Sequence, residues 1–274
     1  MRYITDLHAH STASDGQYAP AQLVRRAKDR GVEVLALTDH DTVDGITEAA
    51  SAGQELGIKV LPGVELSARE HSNFHILGYC YDPEHPALRQ LCEEQRANRV
   101  KREKMILDFL CTERVKLSMD DVELCAGGKV IGRPHFAQAM VQRGYVKTRQ
   151  EAFELYLDTP KFWEKVPRLE ADAKSCVEAI KVSGGKVSLA HPYQMKLSDQ
   201  ELEELVRKLT DWGLDAIECY YPKYTPKQQA LYLKMAEKFG LHITGGSDFH
   251  GEKVKPDVQL AALDLDVDWL MELI

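Results

Sequence analysis

The chain has 274 residues and is 44% hydrophobic, enough to bury the core of one large α/β domain or of a domain that carries an insertion. Its 43 acidic residues outnumber 35 basic ones, giving a net charge of −8, so it lacks the basic surface that binds duplex nucleic acid. No apolar segment has membrane-spanning length and the first residues show no signal-peptide pattern, which argues against a membrane partner and predicts a cytoplasmic protein. The six cysteines form no C-x-x-C pair, so we expect free, reduced thiols.

Strands and amphipathic helices alternate in the first part of the chain. The predicted elements are strands at residues 3–7, 34–38 and 59–64, and helices at residues 19–30 and 46–56. Each helix is followed by a glycine, Gly31 or Gly57, which suits a helix C-terminus. This order predicts a parallel sheet covered by helices.

Further strands and helices follow the same alternation. The predicted strands lie at residues 74–79, 186–190, 215–220 and 242–246, and the predicted helices at residues 199–211 and 226–239. Seven strand candidates in this arrangement favour a barrel over an open sheet.

The segment at residues 83–167 has helical periodicity and many charges, but no convincing strand. Its predicted helices span residues 87–111, 134–143 and 150–157. We therefore expect a barrel formed by residues 1–82 and 168–274, interrupted by a small inserted helical subdomain at residues 83–167.

Histidines and carboxylates lie at or near the ends of the predicted strands, where barrel enzymes build their active sites. They are His8 and His10 after the first strand, Asp39 and His40 after the second, Glu65 after the third, His75 in the fourth, His191 after the fifth, and Asp248 and His250 after the last. The His8-x-His10 pair alone would equally suit solvated histidines. Imidazole and carboxylate ligands together suit zinc, manganese or iron, so the whole set predicts a metal site.

The strings around these residues resemble a known family. They are, in chain order, Asp6-Leu7-His8-Ala9-His10-Ser11 with Ser14-Asp15-Gly16, then Leu37-Thr38-Asp39-His40-Asp41-Thr42, Gly63-Val64-Glu65-Leu66-Ser67, Ala190-His191-Pro192 and Gly246-Ser247-Asp248-Phe249-His250. In this order they are similar to the motifs of the PHP (polymerase and histidinol phosphatase) superfamily. The resemblance implies a distorted (β/α)7 TIM-like barrel that binds two or three divalent metal ions.

The resemblance also implies a ligand set. One ion would be held by His8, His10, Glu65 and Asp248, a second by Glu65, His75 and His191, and a third by Asp15, His40 and His250. Asp15 stands where many relatives have histidine. An aspartate at this position is typical of the small phosphoesterase branch. We assign Asp39 either to orienting a ligand histidine or to a structural strand-end role.

Such a centre suits hydrolysis of a phosphate ester by a metal-bridging hydroxide, because the ions clamp the phosphoryl oxygens and lower the pKa of bound water. Manganese is the expected metal, with zinc and iron as alternatives. The residues expected to act in catalysis are His8, His10, Glu65, His191 and Asp248.

The string Ile131-Gly132-Arg133-Pro134-His135 opens a predicted helix, with Pro134 at its first position. A guanidinium fork and a helix N-terminus both favour a phosphate. The string is similar to one in the branch that removes the 3′-phosphate from nucleoside 3′,5′-bisphosphates, so Arg133 and His135 are predicted to bind substrate. The following segment departs from that branch, and its Phe162 and Trp163 would serve either as a base-stacking surface or, more simply, as core.

These observations predict a metal-dependent phosphoric monoester hydrolase acting on a small phosphorylated metabolite, first of all the 3′-phosphate of a nucleoside 3′,5′-bisphosphate. The alternatives are a histidinol-phosphate phosphatase, a 5′-3′ exoribonuclease on short oligonucleotides, and a non-catalytic module of the polymerase type. The oligomeric state is left open.

Overall fold

The computed structural model describes residues 1–126 and 130–273, and within them eight strands form one sheet. The strands are β1 (Arg2–Ala9), β2 (Val34–Leu37), β3 (Lys59–Ala68), β4 (Phe74–Tyr79), β5 (Lys186–Leu189), β6 (Ala216–Tyr220), β7 (His242–Gly245) and β8 (Leu263–Asp266). Their order is β7-β6-β5-β4-β3-β2-β1-β8. Because β7 also lies against β1 and β8, the sheet curls into a nearly closed barrel, which confirms the predicted fold class.

Two strands run against the predicted parallel pattern. β4 is antiparallel to both β3 and β5, because only residues 69–73 connect β3 to β4 and a parallel crossover needs a dozen residues or more. β8, which the sequence analysis missed, pairs antiparallel with β1. The reversal of β4 brings its first residues, including His75, to the same end of the barrel as the last residues of β3.

Helices cover the barrel and fill the segment between β4 and β5. They are α1 (Pro20–Asp29), α2 (Ile46–Leu56), α3 (Pro86–Thr112), α4 (Met119–Glu123), α5 (Arg133–Gln142), α6 (Arg149–Ala152), α7 (Pro160–Lys165), α8 (Ala173–Val182), α9 (Asp199–Trp212), α10 (Pro226–Phe239) and α11 (Asp268–Met271). A π-helical turn at Phe153–Leu157 follows α6, and a 3₁₀ turn lies at Pro192–Met195. Gly57 ends α2 with φ 65°, a left-handed conformation in which glycine is favoured. No helix in the described ranges is both long and apolar enough to cross a membrane.

Strand β2 illustrates how the barrel core forms. All of its residues are buried, and they alternate between two hydrophobic clusters, with Val34 and Ala36 in one and Leu35 and Leu37 in the other. Such continuous hydrophobic strands are typical of sheets covered on both faces.

Helices α4 to α7 and the C-terminal half of α3 pack around a hydrophobic cluster of their own, whereas α8 packs on the barrel. The cluster includes Phe109 and Leu110 of α3, Phe136 and Met140 of α5, and Phe162 of α7. This separate cluster supports the division into a barrel and an inserted subdomain at residues 83–167, which stays a prediction. A backbone hydrogen bond from Val130 N to the Ser14 carbonyl, 2.9 Å long, joins the inserted helices to the loop after β1.

Candidate metal centre

Glu65 is surrounded by imidazoles at the end of the barrel where β1, β2 and β3 deliver their side chains. Its carboxylate is fully buried. Oε2 lies 3.1 Å from His8 Nε2, 3.1 Å from His10 Nε2 and 3.3 Å from His40 Nδ1, and Oε1 lies 2.7 Å from His75 Nδ1 and 2.8 Å from His191 Nε2. A carboxylate with histidines on both oxygens is suited to bridging two cations.

The first predicted ligand group comes together around His8 and His10. Asp248 Oδ1 lies 3.8 Å from His8 Nε2 and 3.4 Å from His10 Nε2, so this carboxylate approaches the two imidazoles together with Glu65. The donor atoms of the four residues all lie within 4.8 Å of one another. All four side chains are buried.

The other two predicted groups also come together, with a different membership from the one that the sequence suggested. His75 Nδ1 and His191 Nε2 lie 3.3 Å apart, but the compact donor group at Glu65 consists of His40, Glu65 and His75, without His191. Around Asp15, whose Oδ1 is 3.2 Å from His250 Nε2, donor atoms of His10 and His40 complete a compact group. His10 and His40 therefore each face two groups. Which of these residues bind metal stays a prediction.

The side-chain atoms at the centre fit cations better than they fit one another. His8 Nε2, His10 Nε2, His40 Nδ1 and Glu65 Oε2 are buried without a hydrogen-bond partner among the described residues. Such atoms are costly to bury unpaired. Imidazole nitrogens and carboxylate oxygens converging in this way form a donor set suited to zinc, manganese or iron.

Opposite pKa shifts occur within this small volume. Burial alone would raise the pKa of Glu65, but the surrounding imidazoles hold it well below its usual range. Burial lowers the pKa of His40 to about 3, whereas for His10 the nearby Asp248 and Glu65 outweigh burial and raise the pKa to about 9. Glu65 is therefore ionised, as a carboxylate that binds metal must be.

The backbone is strained at two of the predicted ligand positions. His191 has φ 24° and Asp248 has φ 54°, conformations that non-glycine residues rarely adopt. Strain of this kind concentrates at functional sites, where the surrounding structure enforces a particular side-chain direction.

The PHP domain model matches residues 6–157. The chain belongs to the PHP domain family. A 5′-3′ exoribonuclease of Haemophilus influenzae is 38% identical to it over 246 residues, 89% of each chain. A 3′,5′-nucleoside bisphosphate phosphatase of Chromobacterium violaceum is 33% identical over 247 residues, 89% of this chain and 86% of that protein. A solved structure from Bifidobacterium adolescentis, described as a predicted metal-dependent phosphoesterase, superposes with a TM-score of 0.81 and 32% identity over 98% of this chain and 94% of that one. These comparisons confirm the predicted family and the predicted enzyme class, a metal-dependent phosphoesterase.

Several buried residues of this PHP chain hold the candidate ligands in place. Glu218 Oε1 lies 3.0 Å from His8 Nδ1, and its Oε2 accepts a hydrogen bond of 2.7 Å from His191 N. An acceptor at Nδ1 favours the tautomer that carries its proton there, which would leave Nε2, directed at Glu65, to bind a cation. The sequence analysis gave Glu218 no such role, because its partner lies 210 residues away in the chain.

Asp248 is fixed in a similar way through its second oxygen. Oδ2 accepts hydrogen bonds of 2.7 Å from both the Tyr221 hydroxyl and Lys255 Nζ. The Lys255 charge helps to hold the pKa of Asp248 well below its usual range, against the effect of burial. No motif in the sequence pointed to Lys255.

The hydrogen bonds of Asp39 fit the structural strand-end role, one of the two roles predicted for it. It accepts hydrogen bonds from Ser11 N at 2.7 Å and from the Ser11 and Ser14 hydroxyls at 2.6 Å each. None of its hydrogen bonds in the described ranges goes to a ligand histidine. Asp39 thus anchors the loop that presents Asp15.

The two predicted substrate-binding residues have different surroundings. Gly132 N donates 3.0 Å to His135 Nδ1, which leaves Nε2 as the donor of a half-buried ring within range of the Asp15 charge. Arg133 instead donates 3.0 Å to Asp158 and lies 4.6 Å from the Trp163 ring centre. Phe162 is fully buried, as expected of a core residue. Substrate binding by Arg133 and His135 stays a prediction.

Proposed function

We propose that this chain removes the 3′-phosphate of nucleoside 3′,5′-bisphosphates with two or three bound divalent ions, manganese first among them. The observation that carries the proposal is the arrangement of imidazoles around the buried Glu65, with Asp15 and Asp248 completing two of the groups. The bisphosphate phosphatase of Chromobacterium violaceum, which aligns over most of both chains, supports this choice of substrate.

The residues of the chain would divide the work between binding and positioning. His8, His10, Glu65 and Asp248 would hold one ion, and Glu65 would share a second with His75 and His191. When bound, such ions clamp phosphoryl oxygens, lower the pKa of a bound water and offset the charge that develops on the leaving oxygen.

The inserted helices would supply the remaining contacts to the substrate. Because His135 accepts at Nδ1, its Nε2–H is available as a donor at the edge of the Asp15 group. A neutral imidazole donor there suits an anionic phosphate without adding a further positive charge. Burial lowers the pKa of His135 and so favours that neutral form.

One observation favours a second candidate. The exoribonuclease of Haemophilus influenzae is more similar in sequence than the bisphosphate phosphatase, at 38% against 33% identity. In both candidate substrates the reacting phosphate is attached to the 3′ oxygen of a terminal nucleotide. The same centre is therefore chemically suited to the 5′-3′ exonucleolytic cleavage of a short oligoribonucleotide.

Phosphate release by the purified, manganese-loaded protein tests the proposal. We expect adenosine 3′,5′-bisphosphate to be hydrolysed with the highest kcat/KM, above histidinol phosphate. The same assay should include a short oligoribonucleotide, with products separated by chromatography. A preference for histidinol phosphate would overturn the nucleotide assignment, and faster release of mononucleotides than of phosphate would favour the second candidate.

A further inference from the structure

The loop after β7 carries Lys255 to the edge of the candidate metal centre. It turns back on itself, because Lys255 N donates a hydrogen bond of 2.9 Å to the Gly251 carbonyl. Gly251 has φ 98°, and a Cβ at this position would lie 2.3 Å from Gln17 Cβ, so the turn requires glycine. Lys253 N also donates a hydrogen bond of 2.9 Å to Gln17 Oε1. The loop is thus fixed against the segment that follows Asp15, and Lys255 is held in a defined place.

The Lys255 ammonium has more donors than the described residues use. Nζ donates 2.7 Å to Asp248 Oδ2 and 3.4 Å to the Asp248 carbonyl, and its hydrogen bonds in the described ranges go to this residue alone. An ammonium has three N–H donors, so one is left for a ligand. The Lys255 side chain is 29% exposed, whereas that of Asp248 is 4% exposed, so the lysine is open to an incoming ligand and the carboxylate is not.

Tyr221 shows that Asp248 has a second support beside Lys255. The Tyr221 hydroxyl donates 2.7 Å to the same Oδ2 and accepts a hydrogen bond of 3.2 Å from Gln194 Nε2. Its single donor is therefore already used, and it carries no charge. Of the two groups that hold Asp248 Oδ2, only Lys255 can also act on a ligand as a charged donor.

The ammonium charge lies within range of carboxylates from all three candidate ligand groups. Burial alone would lower the pKa of Lys255, but Asp248, Asp15 and Glu65 raise it above its ordinary value. Divalent ions bound at the centre would offset the charge of these same carboxylates. The positive charge of Lys255 would then remain for an anionic ligand.

We propose that Lys255 donates its third N–H to a non-bridging oxygen of the phosphate that binds at the candidate metal centre. The inference rests on the proposed function in one respect, because it requires a phosphate at that centre. Asp248 Oδ1 faces His10 Nε2 at 3.4 Å while Oδ2 faces Lys255, so a phosphate oxygen that reaches an ion in the first group lies beside the ammonium. An ammonium binds phosphate as a point charge. Lys255 would therefore act on the reacting phosphate itself, whatever the rest of the substrate.

The affinity for inorganic phosphate tests this contact directly. We would measure it by calorimetry with the manganese-loaded protein, at manganese concentrations that saturate each variant. Lys255→Met keeps the length of the side chain but loses the ammonium, and it should bind phosphate roughly 10- to 100-fold more weakly, the effect of one lost hydrogen bond between charged groups. The kcat/KM values for adenosine 3′,5′-bisphosphate and adenosine 3′-monophosphate should fall by similar factors, because both substrates share the reacting phosphate.

Two control variants separate this contact from the support of Asp248. Lys253→Met removes the same charge from an exposed position of the same loop and should keep the wild-type phosphate affinity. Tyr221→Phe removes the other donor to Asp248 Oδ2, so it should weaken manganese binding but, at saturating manganese, reduce phosphate affinity far less than Lys255→Met does. Equal losses of phosphate affinity in Tyr221→Phe and Lys255→Met would mean that Lys255 acts only through Asp248 and would overturn the inference.

The same measurement is independent of the substrate assigned above. If adenosine 3′,5′-bisphosphate is not hydrolysed, the proposed function fails, yet the phosphate affinities still decide the role of Lys255. If Lys255→Met does not fold, Lys255→Gln replaces it and should show the same loss, because an amide can donate to Asp248 but has no charge. Unchanged phosphate affinity in the folded variant, or no phosphate binding by the wild type, would also overturn the inference.

Discussion

Replacing Glu218 by glutamine changes the candidate metal centre without touching a predicted ligand. Glu218 is buried, with one oxygen 3.0 Å from His8 Nδ1 and the other 2.7 Å from the backbone nitrogen of His191. Both neighbours are donors, and a carboxylate accepts from both. Glutamine has a single acceptor oxygen, so its NH2 group, which is itself a donor, must face one of the two donors.

The size of the effect follows from that mismatch. Losing one hydrogen bond to a charged group in a buried position costs about 1.5–3 kcal/mol, equivalent to a factor of roughly 10–150 in an equilibrium constant. If His8 loses its fixed tautomer, most of that cost should be seen in metal affinity, as is common for residues that orient metal-bound histidines. We therefore expect Glu218→Gln to bind manganese one to two orders of magnitude more weakly, by roughly 10- to 100-fold.

Competition with a fluorescent chelator would measure the affinity, and phosphate release at saturating manganese would measure kcat. Glu237→Gln, on the exposed face of α10, provides the matched control and should bind metal like the wild type. A Glu218→Gln protein with wild-type manganese affinity and wild-type kcat would refute the proposed role of Glu218 in orienting His8. A loss of thermal stability with unchanged metal affinity would reduce that role to packing.

Four further variants test the centre and its support. His8→Ala and Asp248→Ala each remove a side chain from the first group, so turnover should fall below detection and elemental analysis should find less bound manganese. Phe162→Ala empties a fully buried ring position, and denaturant titration should show a loss of about 3–5 kcal/mol in unfolding free energy. Asp39→Asn places an amide group against serine donors and should cost about 1–3 kcal/mol in the same assay.

Each of these expectations has an outcome that contradicts it. An active, metal-replete His8→Ala protein would mean that the centre lies elsewhere. The exposed Leu155 supplies the control for Phe162, since Leu155→Ala should change stability by no more than about 0.5 kcal/mol. If Asp39→Asn unfolds like the wild type, the loop after β1 does not depend on that carboxylate.

Local patterns in the sequence were enough to predict most of the barrel. The alternation of short apolar segments with amphipathic helical segments located seven of the strands, and Gly57 correctly marked the end of α2. Strand direction was less accessible, because it depends on connection length and pairing: β4 turns back after residues 69–73. The short β8 was missed since only Leu265 and its neighbours alternate there, too few residues to distinguish a strand from a loop.

All of the candidate ligands except His75 lie in distinctive short strings, which is why the sequence pointed to them; their binding of metal stays a prediction. The sequence did not point to their supporting residues, since support depends on partners distant in the chain. Glu218 contacts His8 across 210 positions, and Lys255 reaches Asp248 from a loop that no pattern distinguishes. For Asp39 the position at a strand end suggested two roles, and only its hydrogen bonds to Ser11 and Ser14 distinguish between these roles.

The hydrogen bond from Val130 to Ser14 bears on how specificity could be exchanged between related enzymes. The inserted helices carry His135, and the loop that contains Ser14 also contains Asp15, the next residue. A chimera that takes only the inserted helices from a relative would combine one half of this contact with a foreign partner. Substrate preference should therefore transfer between enzymes only when the loop at residues 11–16 moves together with the inserted helices, as one exchangeable unit.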